Sequence, residues 1–380
     1  MKFLRSFLDK HKPAFEKGGK YSALHSLFAG VTFLYVPDRV TRSGCAIRDA
    51  VDLKRMMSVV VLALVPALLF GMYNVGYQHF LATGGEPGFW SLFLHGFWRV
   101  LPMIVVSYVV GLGIEFTAAQ LRGHEINEGF LVSGLLIPMV MPVTAPLWMV
   151  GLSTAFAVII GKEIFGGTGM NIWNPALLAR AFFFFSYPSR VSGDKVWVDG
   201  LADGVSRATP LAEAYQGTPF THDLGTMFWG LIPGSIGETS AFCILLGAVL
   251  LLVTGVASWK IMLAVFIGGA GTALLLQHAL PDANPYSHVT VARHLLAGGF
   301  AFGAVFMATD PVTAAQTAAG KWIYGLLVGI VAIVIRVLNP GYPEGMMLAI
   351  LLMNTFAPLI DWCVVQRNVA RRLKRGKIPA

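Results

Sequence analysis

Charge is what this sequence has least of. Only 13% of its 380 residues are Asp, Glu, Lys or Arg, against about 25% in a soluble domain. Hydrophobic residues make up 56% and the mean hydropathy is +0.67, so the chain cannot cover itself with a polar surface. Cysteine is almost missing. Cys45, Cys243 and Cys363 lie far apart without a C-x-x-C pair, which excludes a disulfide scaffold and a cysteine-built zinc or iron–sulfur site. The P-loop ending G-K-[ST] is missing, as are H-E-x-x-H, a Ser–His–Asp set and a strand-led dinucleotide fingerprint. No His pairs show the one-per-span spacing of a buried haem. The basic first 55 residues contain no apolar run long enough for a signal peptide, so none is expected. Disorder is excluded by the abundance of aliphatic and aromatic residues. What is left is an integral membrane protein with several spans.

Apolar runs predict ten spans: 56–77, 98–118, 129–141, 147–160, 175–187, 241–258, 261–278, 294–308, 322–338 and 344–364. Several are short, and the third to fifth carry Pro or Gly breaks. Such half-helices are tolerated where they pack on protein or line a cavity. The net charge is +8, with eleven Lys/Arg in residues 1–55 and six in 367–380. Basic tails on a lipid-like middle fit the positive-inside rule rather than nucleic-acid binding. Both termini are therefore expected in the cytoplasm, which requires an even number of spans. Arg122, Lys162, Lys260 and Lys321 then fall in cytoplasmic turns, and Arg99, Arg293 and Arg336 on the outer side. The loop 188–240, with six acidic and three basic residues, lies outside.

The expected organisation is a cytoplasmic segment 1–55, a five-span repeat 56–187, an outer loop 188–240, a second five-span repeat 241–364 and a basic tail 365–380. Pro142-Val143-Thr144-Ala145 recurs as Pro311-Val312-Thr313-Ala314, each at the end of the third span of its half. Ala179 and Pro188 keep nearly the same offset from Ala349 and Pro358. An odd number of spans per repeat makes the halves inverted. Inverted repeats with broken helices are a transporter-type design with sites near the midplane.

Four groups of residues offer chemistry. Asp203-Gly204-Val205-Ser206-Arg207-Ala208-Thr209 lies in the outer loop. It is either an ordinary polar turn or a flavin-attachment site, where an exposed threonine hydroxyl becomes the phosphoester link to FMN. Gly161 to Arg180 carries Gly166, Gly167 and Gly169 ahead of Asn171 and Asn174. It is either a glycine-rich turn before a half-helix capped by Asn174, or a cradle whose Asn amides match the uracil-like edge of an isoalloxazine. Glu115, Asp310, Glu344 and Asp361 sit at membrane depth, as an ion path or as interfacial and capping groups. Hard cations such as Na+ take carboxylate and carbonyl oxygens. Gly234 to Ser240 precedes the sixth span and reads first as a helix cap, with Thr239 as the second choice for a flavin-linked threonine.

FEKGGKY, RDAVDLKRMM, RGHEINEGF, GKEIFGGTG-x-N-x-x-NPALLARAF and the Ser-x-Ala-Thr loop together resemble the NqrB family, membrane components of Na+-translocating NADH:quinone reductases. The resemblance runs nearly end to end. The related RnfD proteins of Rnf complexes share the spans and the threonine motif but generally lack a long basic N-terminal segment. The resemblance implies a six-subunit complex of the bacterial inner membrane that moves electrons from NADH to ubiquinone and exports Na+. It implies covalent FMN on Thr209, with Asp203, Ser206 and Arg207 in the attachment motif, and non-covalent riboflavin at Asn171 and Asn174. The family pattern is Asp-Gly-x-Ser-Gly-Ala-Thr. Arg207 stands at the second glycine, a departure that either weakens recognition by the flavin transferase or puts a guanidinium beside the FMN phosphate. The quinone region matches Gly111 to Glu115 and the N-terminal segment, and Glu115, Asp310, Glu344 and Asp361 match positions linked to Na+ coupling.

With Thr209 outside and Asn171/Asn174 inside, the implied electron order is FMN, riboflavin, then ubiquinone. No NADH-binding fold is recognisable, so electrons are expected from partner subunits. Those partners include an NADH-oxidising flavin and iron–sulfur protein and a second protein with covalent FMN. The chain is expected to be inactive without them. Two other readings share the architecture: an Rnf-type component working with ferredoxin, and a urea- or ammonium-like channel without a redox role.

Overall fold

The structure, a computed structural model, describes residue 10 and residues 53–85, 87–122, 129–191, 196–199, 208–281, 284–339 and 344–375. Nearly all of the N-terminal segment, the motif residues Asp203, Ser206 and Arg207, and the last five residues of the tail lie outside these.

The described residues form fourteen α-helices and no strand. The first half contains α1 (Leu53–Thr83), α2 (Phe89–Arg122), α3 (Phe130–Met139), α4 (Leu147–Val158) and α5 (Pro175–Ser186). A π-helical turn, Ile159–Glu163, extends α4. The connecting region holds the short helices α6 (Pro188–Val191), α7 (Pro210–Gln216) and α8 (Leu224–Trp229). The second half contains α9 (Ala241–Val253), α10 (Trp259–Ala279), α11 (Val291–Leu296), α12 (Phe300–Phe302), α13 (Ala318–Leu338) and α14 (Met346–Arg375). Each of the ten expected spans meets a helix or a broken helix.

Five of these helices, α1, α2, α10, α13 and α14, are long and apolar enough to cross a membrane. At 1.5 Å per residue, the 31 residues of α1 reach roughly 46 Å, well beyond a hydrocarbon core of about 30 Å. Their outward faces carry large apolar side chains such as Trp98, Val109 and Leu275. In water that surface would aggregate, and in lipid it is the expected one. Inward, α2 buries Leu92, Gly96, Val100, Met103, Ser107, Gly111, Glu115 and Ala119, a single stripe at three- and four-residue spacing. Helices approach closely where the stripe is glycine: a Cβ on Gly96 would lie 1.7 Å from the Met72 carbonyl oxygen of α1.

The two halves repeat one pattern. In each, the second span packs on the fourth (α2 on α4, α10 on α13) and the fourth on the fifth (α4 on α5, α13 on α14). Across the halves, first span meets first (α1 with α9) and fifth meets fifth (α5 with α14). Both third spans are broken. The 10 residues of α3 make roughly 15 Å, half a bilayer core. Its counterpart, expected as one span over 294–308, divides into α11, α12 and a π-helical turn, Gly303–Met307, at Ala297-Gly298-Gly299. The Pro-Val-Thr-Ala copies face opposite ends of the bundle. Thr144 donates to the carbonyl of Val196 in the connecting region, 2.8 Å away. Pro311 and Val312 instead share a cavity with Asn171 and Asn174. We call these the loop end and the tail end.

Candidate functional site

The tail-end cavity has a volume of about 760 Å³. It lies between the two halves, with apolar walls from Met57, Leu136, Leu251 and Phe306 and polar groups from Lys162, Asn171, Asn174 and Asp310. Asn174 caps α5, its Oδ1 accepting from the N–H groups of Ala176 at 3.0 Å and Leu177 at 3.4 Å, with Pro175 at the first helical position. That removes two of the helix's orphan donors. The same side chain donates through Nδ2 to Asp310 Oδ2 at 3.3 Å. Asp310 also accepts from the Val312 N–H and the Thr313 hydroxyl, both at 3.0 Å. One carboxylate thus ties the second half's broken span to the first half's fifth helix.

The glycines before Asn171 do a backbone job. Gly166, Gly167 and Gly169 all have positive φ (118°, 97° and 90°), which L side chains rarely adopt. The chain turns tightly there, and Asn171 folds over it, donating to the Trp173 carbonyl at 3.0 Å. Trp173 in turn donates through Nε1 to Thr355 Oγ1 of α14 at 2.9 Å.

Lys162 and Glu115 form the pair that the sequence hides best. The span pattern places Lys162 in a solvated turn. The π-helical turn instead directs it inward, where it pairs with Glu115, both side chains 4% exposed. Neighbouring Glu163 pairs with Arg122 at 3.2 Å, and Arg122 also donates to the Glu163 carbonyl at 2.6 Å. Gly111 has a packing role: a Cβ there would fall 1.9 Å from Phe130 Cζ. The same ring lies 5.9 Å from Lys162 Nζ. Gly111, Phe130, Lys162 and Glu115 therefore form one contiguous wall, and Lys162 is its face on the cavity.

The loop-end cavity, about 410 Å³, is lined by Trp197, Thr209, Ser235, Glu238, Thr239 and Glu344 among others. Both threonines singled out from the sequence face it. Thr209 is half-buried and caps α7, its Oγ1 accepting from the Ala212 N–H at 3.2 Å, with Pro210 at the first helical position. Thr239 is 4% exposed, and its hydroxyl has no hydrogen-bond partner. Glu344 accepts from the Gly299 N–H at 3.2 Å and faces Arg180 of α5 at 3.8 Å. Arg336, expected on the outer side, is 1% exposed inside α13. It donates to the carbonyls of His294, Ala297 (3.1 Å) and Glu344 (3.3 Å), capping the broken helix α11. Sequence reasoning assigns no role to Arg180, Arg336 or Glu238. Arginine in an apolar run is the available signal.

The four acidic residues considered for ions are distributed rather than gathered. Asp310 is in the tail-end cavity, Glu344 in the loop-end cavity, and Glu115 behind Lys162. Asp361 accepts from the N–H groups of Gln316 at 2.7 Å and Thr317 at 2.9 Å, at the start of α13.

Broken helices of two halves, enclosing polar cavities at both ends of an otherwise apolar bundle, define an all-α polytopic membrane protein of the transporter type. A sequence profile of the NQR2, RnfD, RnfE family matches residues 40–370, and the chain belongs to that family. It is 46% identical to the NqrB protein of the Na(+)-translocating NADH-quinone reductase of Chromohalobacter salexigens, over 98% of this chain and 96% of that one. It is 45% identical to the corresponding proteins of Ectopseudomonas mendocina and Azotobacter vinelandii, over 98% of this chain and 99% of each.

Proposed function

We propose that this chain is NqrB, a membrane component of a Na+-translocating NADH:quinone oxidoreductase, with FMN esterified to Thr209 and riboflavin held at Asn171 and Asn174. The observation that carries the reading is the pair of cavities. Thr209 lines one, and Asn171 and Asn174 line the other. Helix α9 runs between them: Thr239 lies just before it in the loop-end cavity, and Leu251 near its last turn borders the tail-end cavity. Twelve residues of helical rise put the two cavities roughly 18 Å apart.

The residues present fit the groups implied. A flavin, when bound, supplies reversible electron transfer; the chain supplies placement. Thr209 offers a hydroxyl at the rim of a cavity, half-exposed, so a transferase can reach it. The Thr239 hydroxyl is buried and does not meet that condition. At the tail end, Asn171 and Asn174 provide amides on a cavity wall that is otherwise largely apolar, with Lys162 as a cation on the same cavity. Such a wall suits a planar heteroaromatic ring with a polar edge.

The relatives' name denotes one component among several. It supports membership in a multi-subunit complex in the bacterial inner membrane, with NADH oxidised by partner proteins and ubiquinone as acceptor. Gly111, Glu115 and the N-terminal segment are the proposed quinone region. Glu115, Asp310, Glu344 and Asp361 are the carboxylates proposed to assist Na+ passage. The alignment over 98% of the chain favours the quinone-reducing complex over the Rnf type.

The test is a denaturing gel of wild type beside Thr209→Val, each co-expressed with the flavin transferase and viewed under ultraviolet light. A fluorescent wild-type band and a dark variant band are expected. Two fluorescent bands would move the linkage to another residue, with Thr239→Val next. Two dark bands would remove the covalent flavin and favour a channel.

A further inference from the structure

At the loop end, away from both cavities, three metal-ligand side chains converge from three segments. His79 is in the last turns of α1, His95 in the first turns of α2, and Asp199 in the connecting region. One potential ligand atom from each lies within 4.8 Å of the others. We propose that His79, His95 and Asp199 form a binding site for a late first-row divalent cation, represented by Zn2+.

Three features of the cluster support this. First, His79 Nδ1 sits 2.7 Å from the backbone carbonyl of Asp199. A carbonyl only accepts, so Nδ1 carries the proton and Nε2 keeps its lone pair. Histidines that bind metals are oriented by this kind of outer bond. Second, His95 Nε2 and Asp199 Oδ2 are buried and face each other at 3.3 Å, and neither completes a well-formed hydrogen bond. A cation between them would satisfy both. Third, the site is stiff. The two imidazoles stack at 4.0 Å with 17° between planes, and Phe80 sits edge-on to both. Zn2+ with bonds of about 2.0–2.1 Å wants ligand atoms about 3.4 Å apart. The widest pair must therefore close by about 1.4 Å, within reach of side-chain rotation. Two imidazoles and one carboxylate, with no thiolate, select Zn2+ or its neighbours in the first row over Mg2+ or Ca2+.

Arg99 competes for the site. Its Nε lies 2.5 Å from Asp199 Oδ2. The Arg99 side chain is 53% exposed, however, so its guanidinium can turn into water when the cation takes the carboxylate. The bound ion would join the α1–α2 hairpin to the connecting region. This inference is independent of any flavin.

The experiment titrates the purified full chain, without a polyhistidine tag, with ZnCl2 by calorimetry, and with Co2+ by visible absorption. Wild type should take up one equivalent, Co2+ should give the ligand-field bands of a low-coordinate nitrogen–oxygen site, and Zn2+ should raise the melting temperature. His95→Ala and Asp199→Asn should each weaken uptake by more than about tenfold. Arg99→Gln keeps every ligand and removes the competing cation, so it should tighten binding severalfold even if a ligand variant fails to fold. A wild type without stoichiometric uptake overturns the site. So does uptake that neither the ligand variants nor Arg99→Gln alters.

Discussion

The two cavities are built in opposite ways. At the tail end the polar groups satisfy one another: Asn174 caps α5 and binds Asp310, Asp310 takes three donors, and Lys162 neutralises Glu115. At the loop end several do not. The Thr239 hydroxyl, Arg180 Nη1 and Arg336 Nε are all buried without a partner. Buried polar groups are nearly always paired, and each exception needs a reason. The tail-end wall is self-consistent and can stand without a ligand. The loop-end wall is incomplete in a way that a polar group bound there would mend.

The largest expected effect tests the self-sufficiency of the tail end. Lys162→Met should leave Glu115 buried and uncompensated, a loss of about 3–5 kcal/mol. It would be read as a sharp fall in melting temperature in detergent. The double variant Lys162→Met/Glu115→Leu should recover most of that loss, because removing both charges removes the penalty. A double variant as unstable as the single one would mean the pair is held by more than its own electrostatics.

Asn174→Ala comes next. It removes a helix cap, worth about 1 kcal/mol, and a bond to a buried carboxylate of similar worth. A fall of about 2 kcal/mol is expected, again from thermal melts. Asn174→Ser keeps the cap and should restore about half. Asp361→Ala, further along the tail end, should cost about 1 kcal/mol, since a carboxylate at a helix N-terminus contributes that much. If Asp361→Ala left stability unchanged, its role as a cap would have to be given up.

The fold is readable because apolar runs of span length are an unambiguous signal. The ten expected spans meet helices in order, and the repeated Pro-Val-Thr-Ala marks corresponding breaks. The ends are less readable. Helix α2 begins at Phe89, nine residues before the expected span, since Phe89 to Trp98 mixes aromatic residues with His95 and dilutes the apolar run. The cavities are half readable. Thr209 and Thr239 stand out separately in the sequence, and only the structure brings them to one cavity. Lys162 and Arg336 mislead for a physical reason. A cation near the end of an apolar run reads as a solvated flank, and pairing with Glu115 on another helix, or with the carbonyls of a broken helix, leaves no local mark. The four-residue spacing on α2 does contain Glu115 within the buried stripe. It points to an inward carboxylate that needs a partner.

The smallest effect is the most informative about the loop end. Thr239→Val replaces a buried, unpartnered hydroxyl with a methyl group of nearly the same shape. Removing a paired hydroxyl from a buried site costs about 1–3 kcal/mol, but an unpaired one has already lost its water bond and gives nothing back. The variant should therefore melt within about 0.5 kcal/mol of wild type, or slightly above it. The same substitution in protein matured with the flavin transferase should give a different answer if Thr239 completes its hydrogen bonding to a bound group. Its cost would then rise toward the paired value. Equal effects in the two preparations would mean that Thr239 serves packing alone, and that the unfinished wall at the loop end is completed through Arg180 and Arg336.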